Sequence, residues 1–219
     1  MRRVLCTIAS GPHAELLEIA RPSFEAFARR HGYELVVVEE NPAPERPASW
    51  GRIRLMQELL PEVDEFLWLD ADTVVVDDGR DIADELDPDD LIGMVAHTTP
   101  EGEDPIPNCG VWFLRRDPAV LRLLDDVWAS ERHVHHKWWE NAAVLESLGY
   151  ELAPKVRLVA PTELWHRVRL LDTAWNSVPV DMAAAPRIVH FAGMSQSERL
   201  AGMQAAASGR PEGAVGRTG

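Results

Sequence analysis

Cysteine is nearly absent from this sequence: Cys6 and Cys109 are the only two in 219 residues. No short Cys/His spacing surrounds them, which excludes a zinc motif and a disulfide framework. A reduced, cytoplasmic compartment is the expectation. Long apolar runs are missing too. No stretch approaches the ~20 residues of a membrane span. The run from Val4 to Ala9, behind the basic Met1-Arg2-Arg3, is interrupted by Thr7 and is too short for a signal-peptide core. Positive charge is scarce: 22 Lys and Arg against 36 Asp and Glu leave a formal net charge of −14. Such a surface repels phosphate backbones, so nucleic acid is not expected as a general partner. Its plain consequence is solubility. An anionic substrate needs a cation or a local basic cluster to screen its site.

What is present suits one large α/β domain and is short for two. Val4 to Ala9 reads as a buried first strand closed by Ser10-Gly11-Pro12. A helical stretch follows from about Ala14 to Arg30, in which Pro22 is expected to kink the helix or start a second one; Gly32 supplies its C-cap. Tyr33 to Glu39 is a short strand, and Asn41 to Pro47 a loop. Arg52 to Leu60 reads as a helix stopped by Pro61. Phe66-Leu67-Trp68-Leu69 has the continuous apolar pattern of a strand buried on both faces. Further strands are expected at Val74-Val75-Val76, Leu91 to His97, Val111 to Leu114, Val156 to Ala160 and Arg187 to Phe191. Helices are expected at Pro118 to Ser130, with Asp117 as N-cap, and at Trp139 to Leu148. The alternation predicts an α/β fold with a mostly parallel central sheet flanked by helices. From Ser195 on, Ala, Gly and Ser dominate. The expected division is a domain over 1–194 and a partly disordered C-terminal tail over 195–219, with 208–219 the disordered end.

Asp70-Ala71-Asp72 follows the buried strand directly. In open α/β sheets ligands bind at the carboxyl ends of strands. Carboxylates this close repel, and one tends to take up a proton unless a cation intervenes. A divalent cation accepts their oxygens and phosphate oxygens together. Asp-x-Asp arises by chance in an acidic chain; the apolar strand before it favours the chemical reading over a solvated turn. His190 closes Ile188-Val189-His190-Phe191 and can offer a further metal ligand, the alternative being an edge histidine bonded to a carbonyl. Gly193 lets backbone approach a phosphate.

These segments form an ordered set. Ser49-Trp50-Gly51-Arg52, then Phe66-Leu67-Trp68-Leu69-Asp70-Ala71-Asp72-Thr73, Asn108-Cys109-Gly110-Val111-Trp112-Phe113-Leu114-Arg115, Trp139-Glu140-Asn141-Ala142-Ala143 and His190-Phe191-Ala192-Gly193 are all present. Together they resemble the galactosyl- and xylosyltransferase family of fungal α-galactosyltransferases and plant xyloglucan xylosyltransferases. A similar set occurs in glycogenin-like transferases. The resemblance spans roughly 4–194. It implies a GT-A, Rossmann-like glycosyltransferase domain, Mn²⁺ (or Mg²⁺) dependence, a UDP-sugar donor and retention of configuration. By position it implies Asp70, Asp72 and His190 as metal ligands, Asn108 near the donor sugar or acceptor, and Glu140 near the reacting carbon. Glu140-Asn141 stands where Asp-Gln is usual, and Arg52 where a lysine often sits; arginine shifts the geometry toward bidentate phosphate contact.

The catalytic candidates are therefore Glu140, Asn141 and Asn108. The donor-binding candidates are Thr7, Ala9, Arg52, Arg54, Asp70, Ala71, Asp72 and Gly193, with Glu39 a further positional candidate for the base. Arg52 or Arg54 would stabilise charge on the leaving diphosphate, unless both lie on a solvated helix face. Glu140 would stabilise the sugar cation or, with inversion, act as base; otherwise it is a carboxylate favoured at a helix N-terminus. Trp138, Trp139, Trp165 and Trp175 are candidates to stack on an acceptor, although most tryptophans are core. His133, His135 and His136 read as a solvated loop. The acceptor is a glycan, a lipid-linked sugar or a small molecule. The rivals are a haloacid-dehalogenase-like phosphohydrolase, with Asp70 as nucleophile, and a noncatalytic nucleotide-sugar binder.

Overall fold

Alternating residues of the central strands face opposite ways, and both faces are apolar, so the sheet must be covered on each side. In the computed structural model, which describes residues 1–209, the strands are β1 (Arg3–Ile8), β2 (Glu34–Val38), β3 (Glu65–Leu69), β4 (Thr73–Val75), β5 (Ile92–His97), β6 (Ile106–Arg115), β7 (Tyr150–Glu151), β8 (Arg157–Leu158), β9 (Val168–Leu171) and β10 (Ile188–His190). The helices are α1 (His13–His31), α2 (Gly51–Leu59), α3 (Pro118–Trp128), α4 (Trp139–Leu148) and α5 (Gln196–Ala207). The main sheet has six strands in the order β2-β1-β3-β6-β5-β9. β6 runs antiparallel to both its neighbours, and the other strands share one direction.

Cys6, Phe66, Trp68, Met94 and Trp112 pack with Ile53 and Met56 of α2, Leu124 of α3 and Leu145 of α4. The alternate residues Leu5, Leu67, Leu69, Val111 and Phe113 pack on the other face with Leu16, Phe24 and Phe27 of α1 and Met203 of α5. The period-2 pattern of each strand thus decides which helices it meets. β4 and β10 form a separate antiparallel pair that sets His190 opposite Thr73.

The structure departs from the sequence reading at identifiable places. α1 continues through Pro22, with the Ser23 hydroxyl donating to the Ala20 carbonyl. β6 begins at Ile106 rather than Val111: residues 106–108 pair with β5 alone, which tolerates Pro107 there, and the register with β5 shifts between Met94 and Val95. β9 carries Arg169, which broke the apolar pattern. Residues 157–158 make only a two-residue hairpin strand. Residues 196–207 of the expected tail form α5, started by a reciprocal Ser195/Glu198 capping box and packed on α1. The remainder of that tail, from residue 210 on, lies outside the described residues. No helix among the described residues is long and apolar enough to cross a membrane.

Candidate functional site

β3 ends in Leu69, so Asp70 and Asp72 emerge at the carboxyl edge of the sheet, and the short β4 then carries the chain into its pairing with β10. The Phe191 amide donates to the Asp72 carbonyl at 3.0 Å, and the Asp70 amide donates to the Gly110 carbonyl at 2.8 Å. Backbone pairing alone therefore gathers three segments distant in sequence, the Asp70–Asp72 turn, Gly110 of β6 and Phe191 after β10. One ligand atom from each of Asp70, Asp72 and His190 lies within 4.8 Å of the others, and among the described residues this is the one such cluster. His190 Nε2 is 3.3 Å from Asp72 Oδ1 and 3.7 Å from Asp70 Oδ2.

The imidazole is oriented by a buried amide chain. The Gly110 amide donates to Asn108 Oδ1 at 2.8 Å, so that atom is an acceptor. Asn176 Nδ2 donates to the same oxygen at 3.0 Å. That leaves Asn176 Oδ1 facing His190 Nδ1 at 2.9 Å, and it must accept. The neutral ring then carries its proton on Nδ1 and turns the Nε2 lone pair toward the two carboxylates. Gly110 is required beside it, since a Cβ there would run into the His190 ring. The donor set of two hard carboxylates and one imidazole fits a divalent cation.

Burial, the largest influence on His190, disfavours its charge; Asp72 and then Asp70 outweigh it, and the pKa is raised. Burial likewise opposes charge on Asp72, yet His190, Arg199 and His13 hold its carboxyl below the usual range. Asp70 also accepts from Trp68 Nε1 at 2.7 Å and pairs with Arg52 at 2.8 Å.

Arg52 is largely enclosed by its partners, its side chain 11% exposed. Its guanidinium bridges Asp70 to Glu140 Oε1 at 3.2 Å and donates to the Cys109 carbonyl at 2.7 Å. Burial opposes its charge, but Asp70 and Glu140 raise its pKa. Glu140, 4% exposed at its side chain, stands behind Asp70 as the counter-ion of Arg52; burial raises its pKa despite that arginine. Asn141 spends its side chain on the Cys109 amide at 2.8 Å and the Pro107 carbonyl at 3.2 Å. Arg54 points elsewhere: it pairs with Glu58 and lies over Trp128. Thr7 is fully buried with its hydroxyl unpartnered. Ala71 is buried between the two aspartates. Ala9 lines a cleft of about 250 Å³ with Gly11, Glu18, Arg21 and Glu39 at the ends of β1 and β2. Gly193 has φ +73°, the left-handed region that suits glycine, at the turn into α5.

Trp175 is core, and Trp165 packs edge-on against Tyr150. Trp139 is 46% exposed and takes φ +45°, a costly conformation for a bulky residue, immediately before Glu140. His133 bonds the Ser130 hydroxyl. Sequence reasoning missed Asn176 and Arg199. Arg199 donates to the Phe191 carbonyl and lies 3.2 Å from Asp72 Oδ2. Neither residue stands in a motif; only their partners give them meaning.

Most of the chain is similar in fold to solved glycosyltransferases. A glycosyltransferase involved in glycosylation of the major capsid of PBCV-1 aligns at TM-score 0.70 and 22% identity, over 93% of this chain and 99% of its own. Galactosyltransferase LgtC, solved in complex with donor and acceptor sugar analogs, aligns at TM-score 0.59 and 14% identity, over 95% and 97%. Mouse xyloside xylosyltransferase 1 aligns at TM-score 0.53 and 13% identity, over 88% and 98%. The fold is thus that of the GT-A glycosyltransferases. Residues 46–202 match the model of the nucleotide-diphospho-sugar transferases, and the chain belongs to that family. No curated protein sequence matches it. The chain is a glycosyltransferase, and the phosphohydrolase alternative falls with this assignment.

Proposed function

We propose that the chain transfers a glycosyl group from a nucleoside diphosphate sugar, UDP-linked in the first instance, with Mn²⁺ or Mg²⁺ held by Asp70, Asp72 and His190. The observation carrying this reading is the amide chain that aims the His190 lone pair at the two carboxylates. When bound, the cation neutralises charge developing on the leaving diphosphate. Asp70 is held in its orientation by Arg52 and Trp68. Asn108 and Asn176 act through His190 as positioning residues. Glu140 keeps Arg52 in place, and Asn141 ties the start of α4 to β6. The cleft at Ala9 and Glu39 suits the nucleoside, since it opens beside the same sheet edge. His13, near enough to influence Asp72, begins α1 at that edge.

Retention of configuration is supported by the placement of Glu140. Inversion needs a base facing the acceptor, and this carboxylate is turned inward onto Arg52. The acceptor is a glycan, a lipid-linked sugar or a small molecule reaching the cleft from solution or from a surface. Two free, buried thiols support a reducing, cytoplasmic setting; burial pushes the Cys6 thiol up to about 12.

The test is a donor screen with Mn²⁺ that scores nucleoside diphosphate release. Release from one sugar nucleotide, abolished by chelation, is expected. Donor binding without release would instead identify a binder that does not turn over, and release that ignores EDTA would remove the metal from the reading.

A further inference from the structure

Asp72 is engaged on both oxygens. Oδ1 faces His190 Nε2 at 3.3 Å, and Oδ2 faces Arg199 Nε at 3.2 Å. Arg199 is held for this contact: the left-handed turn at Gly193 folds α5 back, the Ser195/Glu198 box starts the helix, and the one Nε hydrogen, donated to the Phe191 carbonyl, fixes the guanidinium beside Asp72, with which it pairs by charge. Its side chain stays 21% exposed, so the guanidinium can also meet an incoming anion.

The charges around the cluster make Arg199 consequential. Asp70, Asp72 and Glu140 contribute −3, and Arg52 and Arg199 contribute +2, leaving −1 with His190 neutral. A divalent cation turns that to +1, which attracts a diphosphate. Without Arg199 the same count is −2, then 0. One residue therefore acts with opposite sign on the two ligands.

We propose that Arg199 is a built-in counter-cation of the metal site: it competes with the divalent cation for Asp72, and it turns to the donor's diphosphate once that cation is bound. This rests on reading Asp70, Asp72 and His190 as the metal ligands. It makes metal and nucleotide binding mutually dependent, since linkage is reciprocal. A divalent cation alone meets a guanidinium already on its ligand; with a diphosphate present, the guanidinium has another partner.

The experiment is calorimetric titration of wild type, Arg199→Gln and Arg199→Lys with MnCl₂ alone, then with UDP and GDP at saturating Mn²⁺, comparing the nucleotide that the wild type binds. Arg199→Gln should bind Mn²⁺ alone about tenfold tighter and the nucleotide about tenfold weaker, within the usual span of coupling. Arg199→Lys keeps the charge and should stay near wild type for Mn²⁺. Thermal melting checks that α5 stays docked. If Arg199→Gln weakens both ligands, or leaves Mn²⁺ affinity unchanged, the counter-cation is refuted and Arg199 only anchors α5. A wild type that does not bind Mn²⁺, or an Asp72→Ala variant that binds it equally well, fails the metal-site reading instead.

Discussion

Replacing Asn176 with alanine cuts the amide chain behind His190 while leaving every proposed metal ligand in place. The carboxamide is fully buried and makes two bonds, one to Asn108 Oδ1 at 3.0 Å and one to His190 Nδ1 at 2.9 Å. After the change Asn108 keeps its bond from Gly110, but His190 Nδ1 is left buried without a partner. A stranded buried donor costs about 1–3 kcal/mol. At about 2–4 °C per kcal/mol for a domain of this size, a loss of about 2 kcal/mol lowers Tm by about 4–8 °C. The more specific effect is on metal. Loss of a partner behind a metal-binding histidine weakens affinity by about 10–100-fold, equivalent to about 1.4–2.7 kcal/mol. Calorimetry with MnCl₂ reads this directly, and melting curves read the stability term on the same samples. A variant that melts lower yet binds Mn²⁺ within about twofold of wild type would show that Asn176 only fills space, and the orienting chain would be wrong.

Other perturbations separate the remaining parts. Asp72→Ala should abolish metal-dependent donor binding with the fold retained; calorimetry showing unchanged donor affinity refutes its role. Arg52→Ala strands Glu140 in the interior and should cost about 3–5 kcal/mol, whereas Arg52→Lys should recover part of it; equal melting of Arg52→Ala and wild type would dismiss the Asp70–Arg52–Glu140 bridge. His97 is buried beside Asp181, and burial lowers its pKa despite that carboxylate, with His190 adding to the lowering. The unfolded chain therefore binds more protons, so the contribution is complete above about pH 6.5 and is lost as pH falls toward the depressed folded value. His133 and His136 act in the same direction and His190 in the opposite one. His97→Asn should therefore flatten, not abolish, the fall in Tm between about pH 6.5 and 5, and an unchanged slope counts against the assignment.

Much of the fold was legible because its signals are local. Phe66-Leu67-Trp68-Leu69 has the pattern of a strand covered on both faces, and it occupies the middle of the sheet. Gly32 ends α1 in a left-handed conformation, as its place after the helical stretch predicts, and Gly149 ends α4 the same way. β9 and the start of β6 were hidden because Arg169 and Pro107 interrupt apolar runs, and their pairing partners lie far away in sequence. α5 was hidden for a related reason. An alanine-rich stretch has helix propensity but no apolar face, and its reason to exist is the surface of α1 against which it docks.

The sequence by itself determined that Asp70 and Asp72 stand together at a strand end, because i and i+2 spacing is a covalent fact, and that His190 closes a second apolar strand. Tertiary structure decided what they mean. β4–β10 pairing brings the imidazole to the carboxylates, while burial turns Arg52 from a candidate phosphate contact into the partner of Asp70 and Glu140. Only in three dimensions do Asn176 and Arg199 reach His190 and Asp72. The physical reason is that charge and hydrogen bonding act over a few ångströms of space, and side chains at that range carry no mark of it in the order of the chain.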